Sequence, residues 1–336
     1  LFFAISFGLA GAAFWIGCSK CSGIAICSPE GTVGSLEVYR YIMYVAQQGS
    51  LNRIAPQFIS PDSSNGLYQM DDYITTLTSI PTGLASYNSK FLYVALPSEN
   101  AVQAYSINGR TGGLSLVFTI VAPSGCVPIS IAANRVLGQL YMACYSIDKL
   151  ASYDISGTGD LSYRELVDAG DQPSEIVIDP TGTYIYVNNA SAGTPTVSAY
   201  RVNSDRTLSA LTGSPYAVTE KPVGIALNSR INVLYVGEGA GLTKKIIGIP
   251  VVSATGVLNI GAAFSTGAQA GVITTLAVHP TLDILYGAMS SNVAFNSYTS
   301  NFSTGVLTAV QSTSSLTSSL STATVHPDGT TIYLAE

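Results

Sequence analysis

Leu92-Tyr93-Val94-Ala95 is one of seven short β-rich phrases spread along this 336-residue chain. The others are Met43-Tyr44-Val45-Ala46, Leu140-Tyr141-Met142-Ala143, Ile185-Tyr186-Val187-Asn188, Leu234-Tyr235-Val236-Gly237, Leu285-Tyr286-Gly287-Ala288 and Ile332-Tyr333-Leu334-Ala335. Successive tyrosines are 49, 48, 45, 49, 51 and 47 residues apart. Strand-like phrases at such a period signal a blade repeat. The expected fold is all-β: a seven-bladed β-propeller of four-stranded antiparallel blades, with an apolar N-terminal extension. The expected division is residues 1–30 for the extension and 31–336 for the propeller.

Residues 172–216 show one repeat in full. Pro173 opens a strand near Glu175 to Asp179, and Pro180-Thr181-Gly182-Thr183 turns it. Tyr184 to Asn188 returns, Val197 to Val202 makes a third strand, and Leu208 opens a fourth after an Asn203-Ser204-Asp205-Arg206 turn. Alternation bounded by Gly, Pro, Asn and Asp is the strand-and-turn pattern. The opening proline returns as Pro81, Pro128 and Pro222. Third-strand tyrosines recur at Tyr105, Tyr153, Tyr200 and Tyr298, and leucines at Leu114, Leu161, Leu208 and Leu307. These positions suit the apolar faces between stacked blades.

Ile178-Asp179-Pro180-Thr181-Gly182-Thr183-Tyr184-Ile185-Tyr186-Val187-Asn188-Asn189, Val197-Ser198-Ala199-Tyr200-Arg201-Val202 and Leu208-Ser209-Ala210-Leu211-Thr212-Gly213-Ser214-Pro215-Tyr216 resemble the YVTN-type, lactonase-like seven-bladed propellers. That family includes 6-phosphogluconolactonases and many surface or secreted proteins without known activity. The resemblance covers about residues 31–336 and implies the fold. It also implies that an active member would present His, Arg and acidic side chains in the central channel.

The residues themselves supply little such chemistry. Of the expected channel-lining strands, only the one from Glu175 to Asp179 carries ionisable side chains. His279 and His326, the two histidines of the chain, share a Val-His-Pro slot before a turn, where the parallel repeat has Asp179. Their expected role is turn formation, and two histidines build neither a Ser-His-Asp relay nor a multi-His metal site. Residues 154–165 carry Gly159 and Glu165 at calcium-loop spacing, but Ser156 and Thr158 fall where charged ligands belong, so a hairpin turn is expected. No catalytic, metal-ligating or cofactor-binding residue is therefore assigned, and no cofactor is expected. A formal charge of −6 with 14 Lys and Arg argues against a nucleic-acid partner.

The five cysteines fall in two groups. Cys126 and Cys144 flank a hairpin turn near residues 134–136 and face each other across adjacent strands as a candidate disulfide; two buried thiols are the alternative. Cys18, Cys21 and Cys27 leave an odd residue that is free, lipidated or paired between chains. Asn189 and Asn301 head glycosylation sequons.

The chain's two ends carry the functional expectation. With an inner strand at residues 32–37, blade one is complete, whereas blade seven stops after two strands at Glu336. Leu1, Phe3, Ile5, Phe7 and Leu9 alternate large side chains on one face, as a strand inserted into an apolar groove would. A short membrane helix and a signal segment ending near Cys18 are the alternatives, and only the helix or a lipidated Cys18 would bring a membrane partner. The expected function is a non-enzymatic subunit of an extracellular or cell-surface assembly, partnered by itself, that polymerises by donating its N-terminal strand to a neighbour. The alternative is a lactonase-like hydrolase or ligand-binding propeller, or a lipid-anchored monomer.

Overall fold

In a computed structural model, the structure describes residues 3–5, 13–17, 41–47, 52–59, 67–69, 75–109, 111–191, 193–239, 244–265, 271–289, 294–313, 322–326, 329 and 331–335. They form seven sheets, one for each tyrosine phrase, and the fold is a seven-bladed propeller. Blades two to six are antiparallel in chain order from the channel outward. Their inner strands are Gly83–Tyr87, Pro128–Asn134, Pro173–Ile178, Pro222–Asn228 and Ile273–Val278. The phrase strands pair beside them, for example Tyr184–Asn189 in blade four. Consecutive inner strands touch all the way round, so the ring closes.

Two strands near the N-terminus complete that ring and correct the expectation at both ends. Blade one takes Ala13–Gly17 as its inner strand, antiparallel to Tyr41–Gln47, in place of residues 32–37. Ala-Phe-Trp-Ile-Gly carries two aromatic residues and one β-branched residue, and Thr32 and Val33 give the alternative comparable strand propensity, so local sequence does not decide between them. Phe3–Ile5 pairs in parallel with Ile332–Ala335 of its own chain, so blade seven gains its third strand in cis. A segment tethered to its acceptor has a far higher effective concentration than one on another subunit. Leu1, Phe7, Leu9, Cys18, Cys21, Cys27 and residues 32–37 lie outside the described residues.

The core consists of layers between blades. Each buried apolar cluster draws side chains from two consecutive blades, as where Tyr186, Val197 and Ala199 of blade four meet Ile225, Leu234 and Val236 of blade five. The phrase tyrosines are buried, and their hydroxyls explain why tyrosine stands there and not phenylalanine. Four of them reach the outer hairpin turn of the following blade. Tyr44 donates to the Gly112 carbonyl at 2.7 Å, Tyr93 to Gly159 at 2.7 Å, Tyr186 to Gly256 at 2.9 Å and Tyr235 to Gly305 at 2.7 Å. The accepting residues have φ between 71° and 89°, a left-handed conformation that favours glycine.

Blade four departs from this rule, because Arg206 takes the glycine position with φ of 69°. There Tyr141 donates to Gln139 Oε1 at 3.0 Å, and Gln139 Nε2 donates to the Arg206 carbonyl at 2.8 Å. An extra side chain carries the same bridge across the longer gap. Tyr93→Phe or Tyr186→Phe should lower unfolding free energy by roughly 1–2 kcal/mol, since a buried carbonyl loses its donor. Urea denaturation of each variant beside wild type measures this.

Cys126 and Cys144 are joined, with Cα atoms 4.3 Å apart and a sequence separation of 18. Closing a loop of this size restricts the unfolded chain by about 3 kcal/mol. A Cys126→Ala/Cys144→Ala double variant should lose stability of that order, and a non-reducing peptide map of wild type should link the two fragments.

Candidate functional site

The pairing registers align one position in five blades. Two residues after the strand-opening position, a proline in four of the five blades and Ile273 in the other, Gly83 faces Ala95, Ser130 faces Ala143, Glu175 faces Asn188, Gly224 faces Gly237 and Thr275 faces Ala288. Four of these pairs are small, and at the two glycines the reason is steric. A Cβ on Gly83 would lie 3.1 Å from the Ile131 backbone nitrogen, and one on Gly224 would lie 3.3 Å from that of Leu276. Inner strands of neighbouring blades approach too closely there for bulk. Blade four alone places a carboxylic acid and an amide at this position.

Glu175 therefore sits between the inner strands of blades four and five, and its carboxyl accepts a hydrogen bond from the Ile225 backbone N–H. The residue is partly buried. Burial pushes its carboxyl from 4.5 up to about 8, outweighing the Ile225 bond, which favours the ionised form. A perturbed acid in a channel wall is a candidate reacting group. Asn188 is fully buried on the adjacent strand, and neither its Nδ2 nor its Oδ1 has a hydrogen-bond partner.

The other residues singled out in the sequence serve the architecture. Asp179 accepts from Thr181 N–H at 3.1 Å and Tyr184 N–H at 2.6 Å, closing its own turn. His279 does the same through Nδ1, which accepts from Thr281 and Leu282 N–H at 3.1 and 2.9 Å. Its Nε2–H then donates to the Gly329 carbonyl of blade seven at 2.9 Å. Asn134 makes the equivalent contact from blade three, donating to Gly182 of blade four at 2.8 Å. His326 is buried with its ring 6.4 Å from that of Tyr333. Residues 154–165 form a hairpin in which Glu165 accepts from Leu208 N–H at 2.6 Å.

Of the two sequons, Asn189 is corrected by burial. Its amide lies inside the blade and donates to Thr196 and Ser198 hydroxyls at 2.9 Å, whereas a glycan needs surface. Asn301 is exposed at an outer turn, with Oδ1 accepting from Ser303 and Thr304 N–H. Among the described residues no cluster of three His, Cys, Asp or Glu side chains is placed to hold a metal ion. No helix among them is long and apolar enough to cross a membrane.

Sequence reasoning noted Glu175 but missed Asn188. The signal was present: six of the seven phrases end in Ala or Gly, and the seventh ends in Asn.

Residues 139–241 match the family described as Lactonase, 7-bladed beta-propeller. The resemblance to lactonase-like propellers carried by the tyrosine phrases is thereby shown. Among solved structures, the periplasmic gluconolactonase of Pseudomonas aeruginosa is similar, with a TM-score of 0.72, 15% identity and 88% of each chain covered. A candidate 6-phosphogluconolactonase of Bacteroides fragilis has a TM-score of 0.70 at 17% identity, covering 86% of this chain and 85% of that one. Hydrazine synthase of Kuenenia stuttgartiensis has a TM-score of 0.66 at 13% identity over 87% and 88% of the two chains. At such identities these likenesses concern the fold. No curated protein matches the sequence. The expectation of a non-enzymatic structural subunit is overturned, because the matching family and several similar structures are named for lactonases, which favours the lactonase-like alternative.

Proposed function

We propose that this chain is a lactonase-like hydrolase that opens neutral sugar-acid lactones, with Glu175 as its reacting group. The observation that carries the reading is the partly exposed, strongly perturbed carboxyl at the one blade interface where the small-residue rule is broken. As a carboxylate, Glu175 takes a proton from a water molecule as that water attacks the lactone carbonyl carbon. The ester C–O bond then breaks, and the same proton passes to the departing ring oxygen, leaving a hydroxy acid. The Ile225 N–H orients the carboxylate between these transfers.

The lining also bears on the substrate. No Lys, Arg or His occurs in the described inner strands, so a phosphate group would meet no cation there. Unphosphorylated lactone is the better fit. The disulfide suits an oxidising compartment, so an extracellular or cell-surface location belongs to this reading.

The test is base-consumption assay of δ-gluconolactone and its 6-phosphate, with spontaneous hydrolysis subtracted. Turnover of the first, preferred over the second and lost in Glu175→Gln, is expected. The lack of a basic partner favours one second reading, a lactone-binding propeller without turnover. Wild type that binds lactone but leaves its hydrolysis at the spontaneous rate would replace the hydrolase reading with that one.

A further inference from the structure

The hydrolase reading requires a buried acid to ionise, and the structure holds an unused group beside it. Asn188 lies directly opposite Glu175 in the register of Pro173–Ile178 with Tyr184–Asn189. Directly opposed residues of an antiparallel pair project to the same face, with Cβ atoms about 5 Å apart. That distance is within reach of the two side chains by rotation. A fully buried amide with both atoms unpartnered is rare and calls for an explanation.

We propose that Asn188 is a positioning residue for Glu175: its amide turns to donate Nδ2–H to the carboxylate when Glu175 gives up its proton. The inference rests on the reading of Glu175 as the channel's reacting group. With the acid neutral, the carboxyl has the Ile225 N–H and the amide is idle. Once charge appears, a second donor stands ready on the opposite side, and bonds to an ionised acceptor are the stronger kind. The other blades need no such donor because none has a carboxyl there.

No other charge competes for this role. The strands packed on Pro173–Ile178 are Tyr184–Asn189, Pro128–Asn134, Pro222–Asn228 and Gln139–Cys144. Their titratable groups are the phenols of Tyr141, Tyr184 and Tyr186, which donate to Gln139, Ala254 and Gly256. Cys144 is in the disulfide, and Asp179 at the strand's end is occupied by its turn.

The test reads ionisation directly and needs no turnover. Carboxyl-carbon NMR of glutamate-labelled protein gives the Glu175 midpoint in wild type, Asn188→Thr and Asn188→Val, which share a shape but differ in a donor hydroxyl. Val should raise the midpoint by about one to two pH units and Thr by less than half of that. In unmutated protein the Asn188 side-chain NH2 signals should move with the Glu175 midpoint. Equal midpoints in Thr and Val, or NH2 signals that stay still as Glu175 titrates, overturn the proposal. If lactone turnover fails while these signals move together, the hydrolase reading falls and the pair stands.

Discussion

Glu175→Gln is expected to lose lactone hydrolysis at least about 100-fold, the usual contribution of a positioned base, while making the protein more stable above neutral pH. The two effects have one cause. Folding moves the Glu175 carboxyl from 4.5 to about 8, so between those values the folded protein holds a proton that the unfolded chain releases. Stability of wild type must then fall as pH rises through that window. The loss is of order 1.4 kcal/mol per pH unit at most, and roughly 2–4 kcal/mol in total after relaxation of the site. Glutamine does not titrate and escapes this penalty. Thermal melts from pH 4 to 9 should show the two proteins alike at the acid end and diverging towards pH 8, with the variant higher. Activity in wild type should rise with pH through about 8, as the carboxylate form fills. A variant that is less stable than wild type at pH 8.5 would show that Glu175 is a structural acid and remove the basis of the proposed mechanism.

Glu238→Ala should be the most damaging single change to stability, at roughly 3–5 kcal/mol, because it removes one partner of a buried charge network. Glu238 is fully buried at the end of the second strand of blade five. Its carboxylate accepts from Thr219 N–H at 2.8 Å, the Thr219 hydroxyl at 2.7 Å and Glu220 N–H at 3.1 Å. Lys245 lies directly opposite on the next strand, its Nζ 3.4 Å from Oε2. Truncation leaves the connection from blade four without its anchor and a partly buried ammonium without its counter-charge. Glu238→Gln keeps the shape and some of the acceptors, so it should cost about half as much. Urea midpoints of both variants test this, and a loss below about 1 kcal/mol for alanine would show that water takes over the donors.

The blades were legible because their signal is local. A tyrosine in a four-residue β-phrase, a proline opening the preceding strand and a Gly, Asn or Asp turn between them each depend on a few neighbouring residues. Pairing over long distances was not legible. Nothing within residues 32–37 or 13–17 states which of them lies beside Tyr41–Gln47, and the choice is made by ring closure. The tyrosine hydroxyls belong to the same class, since their acceptors lie 66 to 70 residues away. The candidate site was half visible. Glu175 stands out as an acid on an apolar strand, but its meaning depends on how near blade five comes. Asn188 stands out only after the phrases are aligned and the register sets it opposite Glu175.

The tyrosine bridges bear on how this molecule comes apart. A linear array of repeats frays from its terminal units, because each unit is held only by its neighbours. Here the outermost hairpin of a blade, the part farthest from the channel and the natural place for fraying, is clasped by the blade before it in the chain. Opening one blade therefore breaks contacts in two, and the clasps all point the same way round. Local opening of an outer turn is coupled to the blade that precedes it, so amide exchange at the outer edges should follow global unfolding more closely than their position suggests. Blades one to six are expected to open together for this reason, and their outer turns, usually the loosest part of a repeat, are drawn into that unit.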